Sequence, residues 1–298
     1  MTLRFGVVGT AYWAREIHIP GLFAAGADAV GIWGRTPATV EKVAQERGLP
    51  AFASLDDLLD ACDAVTIAVP PDVQAQIALR AAQAGKHLIL EKPVTRDVES
   101  AHRIARVVAE RDLATQVFFL RRFVPEIAAT IASERDNNWT QAKIRVHASV
   151  MATESPYSGS VWRQAPGAAL WDIGPHVLSV LIPMMGQVTA IAAQPERDGF
   201  SVFRTWHERG GVADVSVTLH CAADAVANDY RFLGPTRELV FPNPQFSRID
   251  AFSRAVLELT DAVRNGRRDL PCGLPLGVNI VEWLVKAELS QERGAKVV

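Results

Sequence analysis

Asp172 and His176 stand four residues apart in the stretch APGAALWDIGPHVLSVL. On a helix that spacing puts both side chains on one face, within reach of one ligand. A carboxylate beside an imidazole can orient the ring and tune its proton affinity, and an imidazole suits general acid–base work near neutral pH. The structural alternative is Asp172 as a helix N-cap with His176 packed in the first turn. Lys92 is the next candidate, in Leu90-Glu91-Lys92-Pro93. Proline holds the preceding residue extended and can host a cis bond, so this turn fixes where the lysine projects. Its alternative is a solvated surface charge. The run Gly9-Thr10-Ala11-Tyr12-Trp13-Ala14 follows the dinucleotide-binding pattern G-x-G-x-x-G/A, with Ala11 in place of the middle glycine. Gly9 supplies the tight turn and Ala14 the close helix packing, and the helix N-terminus faces an anion. Without a ligand, the same run is a strand-to-helix corner. The second apolar run ends in Trp33-Gly34-Arg35-Thr36 and carries no carboxylate for ribose hydroxyls. Arg35 can pair with a 2′-phosphate and Thr36 can add a hydrogen bond, which favours NADP with NAD as second choice. Otherwise Gly34-Arg35 is a turn and Thr36 a helix cap.

These residues need elements to hold them. Over residues 1 to about 120, short apolar runs (Arg4–Val8, Ala29–Trp33, Ala64–Val69, His87–Leu90, Thr115–Leu120) alternate with helical patterns. Those patterns cover Tyr12–Ala25, Thr36 to Arg47, Val73–Ala84 and residues 97–111. Such alternation predicts parallel βαβ units with right-handed crossovers. Strands buried on both faces explain continuous runs such as AVTIAV. Beyond residue 120 the rhythm changes. Lys143–Val150, Val188–Ala193, Ser201–His207, Val212–His220, Tyr230–Leu233 and Glu238–Phe241 read as strands, several with polar–apolar alternation. Helices are expected near 124–135, 173–185, 250–265 and 277–292. The fold class is therefore α/β. Residues 1–120 form a Rossmann dinucleotide-binding domain. Residues 121–298 form an α/β domain for substrate binding and oligomerisation, with a large, mostly antiparallel open sheet.

The chain has 298 residues, 49% hydrophobic and 21% charged, with a net charge of −2. No basic block points to nucleic acid. Cys62, Cys221 and Cys272 are far apart, which suits a reducing compartment and argues against a disulfide framework or a zinc site. His207 and His220, expected on neighbouring strands, lack a third ligand, so no metal is expected. His18 and His87 lie near the cofactor half by position, with His87 read as structural. With no signal-peptide pattern and no apolar run of spanning length, a cytoplasmic protein without membrane partners is expected.

Taken in order along residues 4 to 185, the segments GVVGTAYWAREIHIPGL, WGRTPATVEKVAQERGLPAF, LDDLLDACDAVTIAVPPDVQAQIALRAAQAGKHLILEKP and WRQAPGAALWDIGPH resemble the glucose–fructose oxidoreductase / inositol dehydrogenase (Gfo/Idh/MocA) family. The resemblance implies an NAD(P)-dependent oxidoreductase acting on a sugar, polyol or related hydroxyl or carbonyl compound. Lys92 would match the lysine of the E-K-P motif, polarising the substrate oxygen. Asp172 and His176 would match the D-x-x-x-H pair, with His176 as general acid/base. Cofactor contacts are expected at Gly9, Thr10, Ala11, Tyr12, Trp13, Arg35, Thr36, Pro70, Glu91 and Lys92. Substrate contacts are expected at Lys92, Arg122, Arg163, Asp172 and His176. A homodimer or homotetramer through the second sheet, near Trp206, is also implied. Other readings of the same fold are an NAD-dependent glycoside hydrolase and a non-catalytic sensor of dinucleotide or sugar. The sequence departs from the family pattern at Ala11, at Gln74 where many members carry histidine, and at the single Gly167 before Ala168. The last two are expected to bear on substrate choice.

Overall fold

Parallel strands with both faces covered dominate the first third of the chain, as the continuous apolar runs require. The computed structural model describes residues 3–298 apart from 153, 154, 156 and 158. Its strands are β1 (Arg4–Val8), β2 (Asp28–Trp33), β3 (Ala64–Ile67), β4 (His87–Leu90), β5 (Thr115–Val117), β6 (Gln141–His147), β7 (Val188–Ala193), β8 (Phe200–His207), β9 (Val212–Thr218), β10 (Ala227–Leu233) and β11 (Glu238–Val240). Its helices are α1 (Ile19–Ala24), α2 (Pro37–Arg47), α3 (Leu55–Ala61), α4 (Pro71–Gln83), α5 (Val98–Glu110), α6 (Pro125–Glu134), α7 (Val161–Gln164), α8 (Ala168–Met185), α9 (Arg248–Arg264) and α10 (Leu274–Arg293). Two compact units divide the chain. One holds Met1–Phe123 with Phe246–Val278, the other Val124–Gln245 with Asn279–Val298.

In the first unit five parallel strands run in the order β2-β1-β3-β4-β5. The chain steps from β1 to β2 on one side and then to β3 on the other. The carboxyl ends of β1 and β3 therefore border the switch point where such sheets bind ligands. Phe5, Val7, Val8, Val65, Ile67, Leu88, Ile89 and Leu90 are buried in this sheet. Local signals place several helix ends. Pro37 is the first helical residue of α2, and Gly48 closes that helix at φ 66°. Ser54 accepts from Asp57 N to cap α3, which the sequence reading does not mark as a helix. Asp97 accepts from Glu99 N and Ser100 N to cap α5. Ahead of α1 the expected helix opens into a π-turn, Ala14–His18. The unit is discontinuous where a single cut near residue 120 is the sequence expectation. Helix α9 returns from far along the chain and packs on α1, so closely that a Cβ on Gly21 would stand 2.6 Å from Phe252.

In the second unit six strands run in the order β11-β10-β6-β9-β8-β7. All pairs are antiparallel except β6 with β9. One face, with Ala142, Ile144, Phe203, Ala213, Val215, Tyr230 and Phe232, is buried, and α8 packs on β8 and β9. The other face carries ion pairs between residues directly opposite each other, Arg145 with Asp229 at 2.7 Å and Arg204 with Asp214 at 2.6 Å. The C-terminal tail covers the β7 edge, where Val297 and Ile191 exchange two backbone hydrogen bonds. Helix α8 corrects two expectations. It begins at residue 168, not 173. By length and mean hydropathy (1.3) it could cross a membrane, against the reading that no run is long enough, yet 89% of it is buried inside the protein. It is the core helix of its unit.

Candidate active site

Gly9 leaves β1 at φ 120°, a conformation open to glycine, and a Cβ there would stand 2.4 Å from the Ala68 carbonyl oxygen at the end of β3. Gly9 N donates to Trp33 O at 2.9 Å. The Thr10 methyl lies 3.0 Å from where a Cβ on Gly34 would be. The glycine turn therefore touches the ends of both β2 and β3. Ala11 is exposed, and Tyr12 and Trp13 open the helical segment, whose first N–H groups lack intrahelical acceptors. Arg35 and Thr36 are exposed at the end of β2. Arg35 has no hydrogen bond or ion pair among the described residues. Thr36 occupies the N-cap position of α2, but its side chain makes no cap hydrogen bond. Pro70 is exposed ahead of α4 and accepts from Val73 N and Gln74 N. These residues fit a dinucleotide: a tight turn at the switch point, helix N–H groups, and an unengaged cation one strand away.

The Glu91-Lys92-Pro93 turn follows β4, with a cis Lys92–Pro93 bond. The Glu91 carboxylate is turned into the unit. One oxygen lies 3.0 Å from His18 Nε2, and the other accepts from Lys92 N at 3.2 Å. His18 is fully buried, contacts Thr66 Oγ1 through Nδ1 at 2.7 Å, and stacks on Phe252 at 4.1 Å. Gln74, expected to bear on substrate choice, has no solvent exposure. Its amide nitrogen donates to the carbonyls of Glu91 (2.7 Å), Pro93 (3.1 Å) and Val94 (3.1 Å), and its oxygen accepts from Glu91 N at 3.0 Å. The side chain thus faces inward as a support for the turn. Arg122 sits in the same unit, where its charge acts on Glu258 and Cys272. Burial raises the Glu258 carboxyl above its ordinary range, and burial pushes the Cys272 thiol up to about 11.

In the second unit α8 carries Asp172 and His176. Gly167, at φ 79°, is the N-cap, so Asp172 lies inside the helix and is not its cap. Gly167 N donates to Glu196 Oε2 at 3.0 Å, and Trp171 Nε1 to Glu288 Oε1 at 2.6 Å, which tie down the start of α8. Asp172 is buried and receives a two-point bond from Arg163, at 2.8 and 3.3 Å. The Arg163 guanidinium lies 4.3 Å from the Trp162 ring centroid and 4.7 Å from that of Tyr157. His176 is half-buried on a helix that is otherwise buried except at Pro183. Arg163 therefore serves Asp172, and His176 follows one turn later on the same helix.

The family model described as an oxidoreductase family with an NAD-binding Rossmann fold (GFO_IDH_MocA) matches residues 3–119. Over those residues the chain is similar to the Gfo/Idh/MocA oxidoreductase family. It is 34% identical to the UDP-N-acetylglucosamine 3-dehydrogenase of Acidithiobacillus ferrooxidans, over 42% of this chain and 39% of that one. It is 28% identical to the dTDP-3,4-didehydro-2,6-dideoxy-alpha-D-glucose 3-reductase of Actinomadura kijaniata, over 90% of this chain and 96% of the relative. Among solved structures, GenD2 from gentamicin A biosynthesis in complex with NAD superposes with a TM-score of 0.85 at 19% identity, covering 99% of this chain and 96% of that one, a likeness of fold. The chain spans 39 to 62% of the length of the first curated relatives it matches.

Sequence reasoning misses the roles of His18 and Gln74 as buried partners of the Glu91-Lys92-Pro93 turn, and that of Arg163 as the partner of Asp172. It also misses Arg248, the first residue of α9, whose guanidinium lies 5.9 Å from the Trp13 ring. No spacing announces any of these, because each contact is long-range or crosses a loop. His87 accepts from Ala114 N, as a structural histidine would. His207 is occupied by Thr205 Oγ1 and Gly186 O.

Proposed function

We propose that the chain is an NADP-preferring oxidoreductase that moves a hydride between the nicotinamide and a secondary alcohol or carbonyl carbon of a sugar, polyol or related compound. When bound, the cofactor supplies the hydride acceptor or donor. In the oxidative direction His176 takes the hydroxyl proton, Lys92 stabilises the negative charge developing on that oxygen, and Asp172, fixed by Arg163, orients the His176 face of α8. The reverse reaction returns the proton from His176 to the oxygen. The carrying observation is Lys92, held on a buried bracket at the carboxyl end of β4 in a sheet whose glycine turn fits a dinucleotide. Two relatives, a UDP-sugar dehydrogenase and a dTDP-sugar reductase, support a sugar-like substrate.

Arg35 and Thr36 support NADP over NAD. Losing a charge-assisted bond costs about 1.5–3 kcal/mol, so Arg35→Ala should weaken NADPH by about 10-fold or more and leave NADH unchanged. Fluorescence titration of both cofactors reads this, and an unaltered NADPH affinity sinks the preference. Screening sugars and polyols for absorbance change, with Lys92→Met as control, tests the reaction, and an undiminished rate in that variant removes the lysine. The reading also asks Lys92 and His176 to act on one substrate oxygen, which a double-mutant cycle on kcat reports. We assign self-association, as a homodimer or homotetramer, to the exposed face of the second sheet, and a cytoplasmic location. Arg145→Glu with Arg204→Glu should shift the mass measured by light scattering.

A further inference from the structure

We propose that Gln74 is the positioning residue that sets where the Lys92 ammonium stands. The inference takes from the proposed function only that Lys92 is the lysine of the site. Backbone groups in a turn beyond a strand end have left their ladder and need other partners. In Glu91–Val94 one side chain reaches four of these groups, although Glu91 N also keeps a bond to Ile67 O at 3.3 Å. The Gln74 amide serves three carbonyls and one N–H of this turn. Gln74 is itself anchored in the first turn of α4, where its N–H donates to Pro70 O at 2.9 Å. On the opposite flank the Glu91 carboxylate links Lys92 N to His18, and His18 to Thr66. With both flanks fixed, the lysine backbone has one position, and only the side-chain stem moves.

An amide is suited to this task because it is neutral and donates and accepts at once. A carboxylate of the same shape would face three carbonyl oxygens with no proton to give. A carboxylic acid would keep one donor. Gln74→Glu therefore turns a support indifferent to pH into one that holds when protonated and opens as pH rises. Burial and the three carbonyls push that titration above the ordinary carboxyl range. The titratable groups around it are Glu91 and Lys92 of the turn and His18 of the π-turn. A carboxylate at position 74 also favours the charged Lys92 ammonium, which slows its acetylation, so a rise in the Lys92 ratio reports opening of the turn against that bias.

The test is competitive acetylation with acetic anhydride, without cofactor or substrate, read by peptide mass spectrometry. Lys42, whose side chain is 72% exposed, is the reference. Lys86, whose Nζ donates to Cys62 O at 3.0 Å in the same unit, reports general loosening. The Lys92 to Lys42 rate ratio in Gln74→Glu, divided by that of wild type, should rise about threefold or more from about pH 6 to about pH 9 while Lys86 stays level. If Lys92 tracks wild type throughout, or Lys86 rises in step with it, the proposal is overturned. Should Gln74→Glu not fold, Gln74→Asn decides. Its shorter amide withdraws from the carbonyls, so the Lys92 ratio should rise at every pH with Lys86 level, and a wild-type ratio overturns the proposal. In turnover, either variant should lower kcat by about 10- to 100-fold with NADPH affinity kept within about twofold. A wild-type protein that turns over no sugar or polyol refutes the proposed reaction and leaves the labelling result standing.

Discussion

Arg163→Met should destabilise the second unit by about 3 kcal/mol at neutral pH, because it removes the guanidinium from a buried carboxylate. Arg163 and Asp172 have side-chain exposures of 12% and 8%, so little water is present to replace the two bonds at 2.8 and 3.3 Å. Methionine keeps the apolar stem against Trp162 and Tyr157 and forfeits the cation–π contacts, about 0.5–1 kcal/mol each. Larger domains lose about 2–4 °C of Tm per kcal/mol, so the melting transition should drop by about 6–12 °C. The sign with pH follows. Without its cation the buried Asp172 side chain is penalised only while it carries its charge, so the deficit is largest above the ordinary carboxyl range. It shrinks as pH falls toward about 4, where the unfolded chain is protonated as well. Adding Asp172→Asn removes the buried charge, and the double variant should recover about 2 kcal/mol of the loss. Thermal melts of the four proteins at two pH values measure all of this. Strict additivity of the two substitutions, with no change of the deficit between those pH values, would refute a buried ion pair as the cause.

Gly9→Ala should cost about 3 kcal/mol, since it combines φ 120° with a Cβ set against the Ala68 carbonyl. An unchanged denaturant midpoint would count against this geometry. Ala11→Gly, at an exposed position, should leave that midpoint within about 1 kcal/mol of wild type. Burial, and then the charge of Arg268, lowers the proton affinity of His87, and burial lowers that of His207. Both stay neutral in the folded protein while the unfolded chain takes up protons from about pH 6.5 downward. Stability from this source is full above that value and falls as pH drops through it. Urea midpoints at about pH 7.5 and about pH 5.5 should differ accordingly, and the paired substitutions His87→Gln and His207→Gln should flatten the difference. A slope unaltered in the double variant would exclude these two histidines.

Much of the parallel sheet is legible in local patterns because buried strands need unbroken apolar runs and their helices need caps. Pro37 and Gly48 bracket α2, and Gly85, at φ 74°, follows the end of α4. What escapes depends on partners far away in sequence. The π-turn at Ala14–His18 carries a ring whose hydrogen bonds lie 48 and 73 residues on, at Thr66 and Glu91. Gln74 sits in an amphipathic helix where a polar residue reads as solvent-facing, and only the turn after β4 supplies the acceptors that draw it inward. The early start of α8 rests on Gly167 and on Glu196 reaching back across 29 residues. Asp172 and His176 are readable as a pair by spacing, whereas the arginine that holds the aspartate comes from a separate short helix.

Helix α9 carries a consequence for the order in which this protein is made. The nucleotide-binding unit lacks a wall until Phe246–Val278 leaves the ribosome, because Phe252 stacks on His18 and contacts Phe118 edge-on at 5.0 Å. At about 5–20 residues per second, the interval after Phe123 is on the order of ten seconds or more. Throughout that time an aromatic surface faces the solvent of the growing cell, and a ribosome stalled anywhere in the interval releases a fragment that has its glycine turn but not its closure.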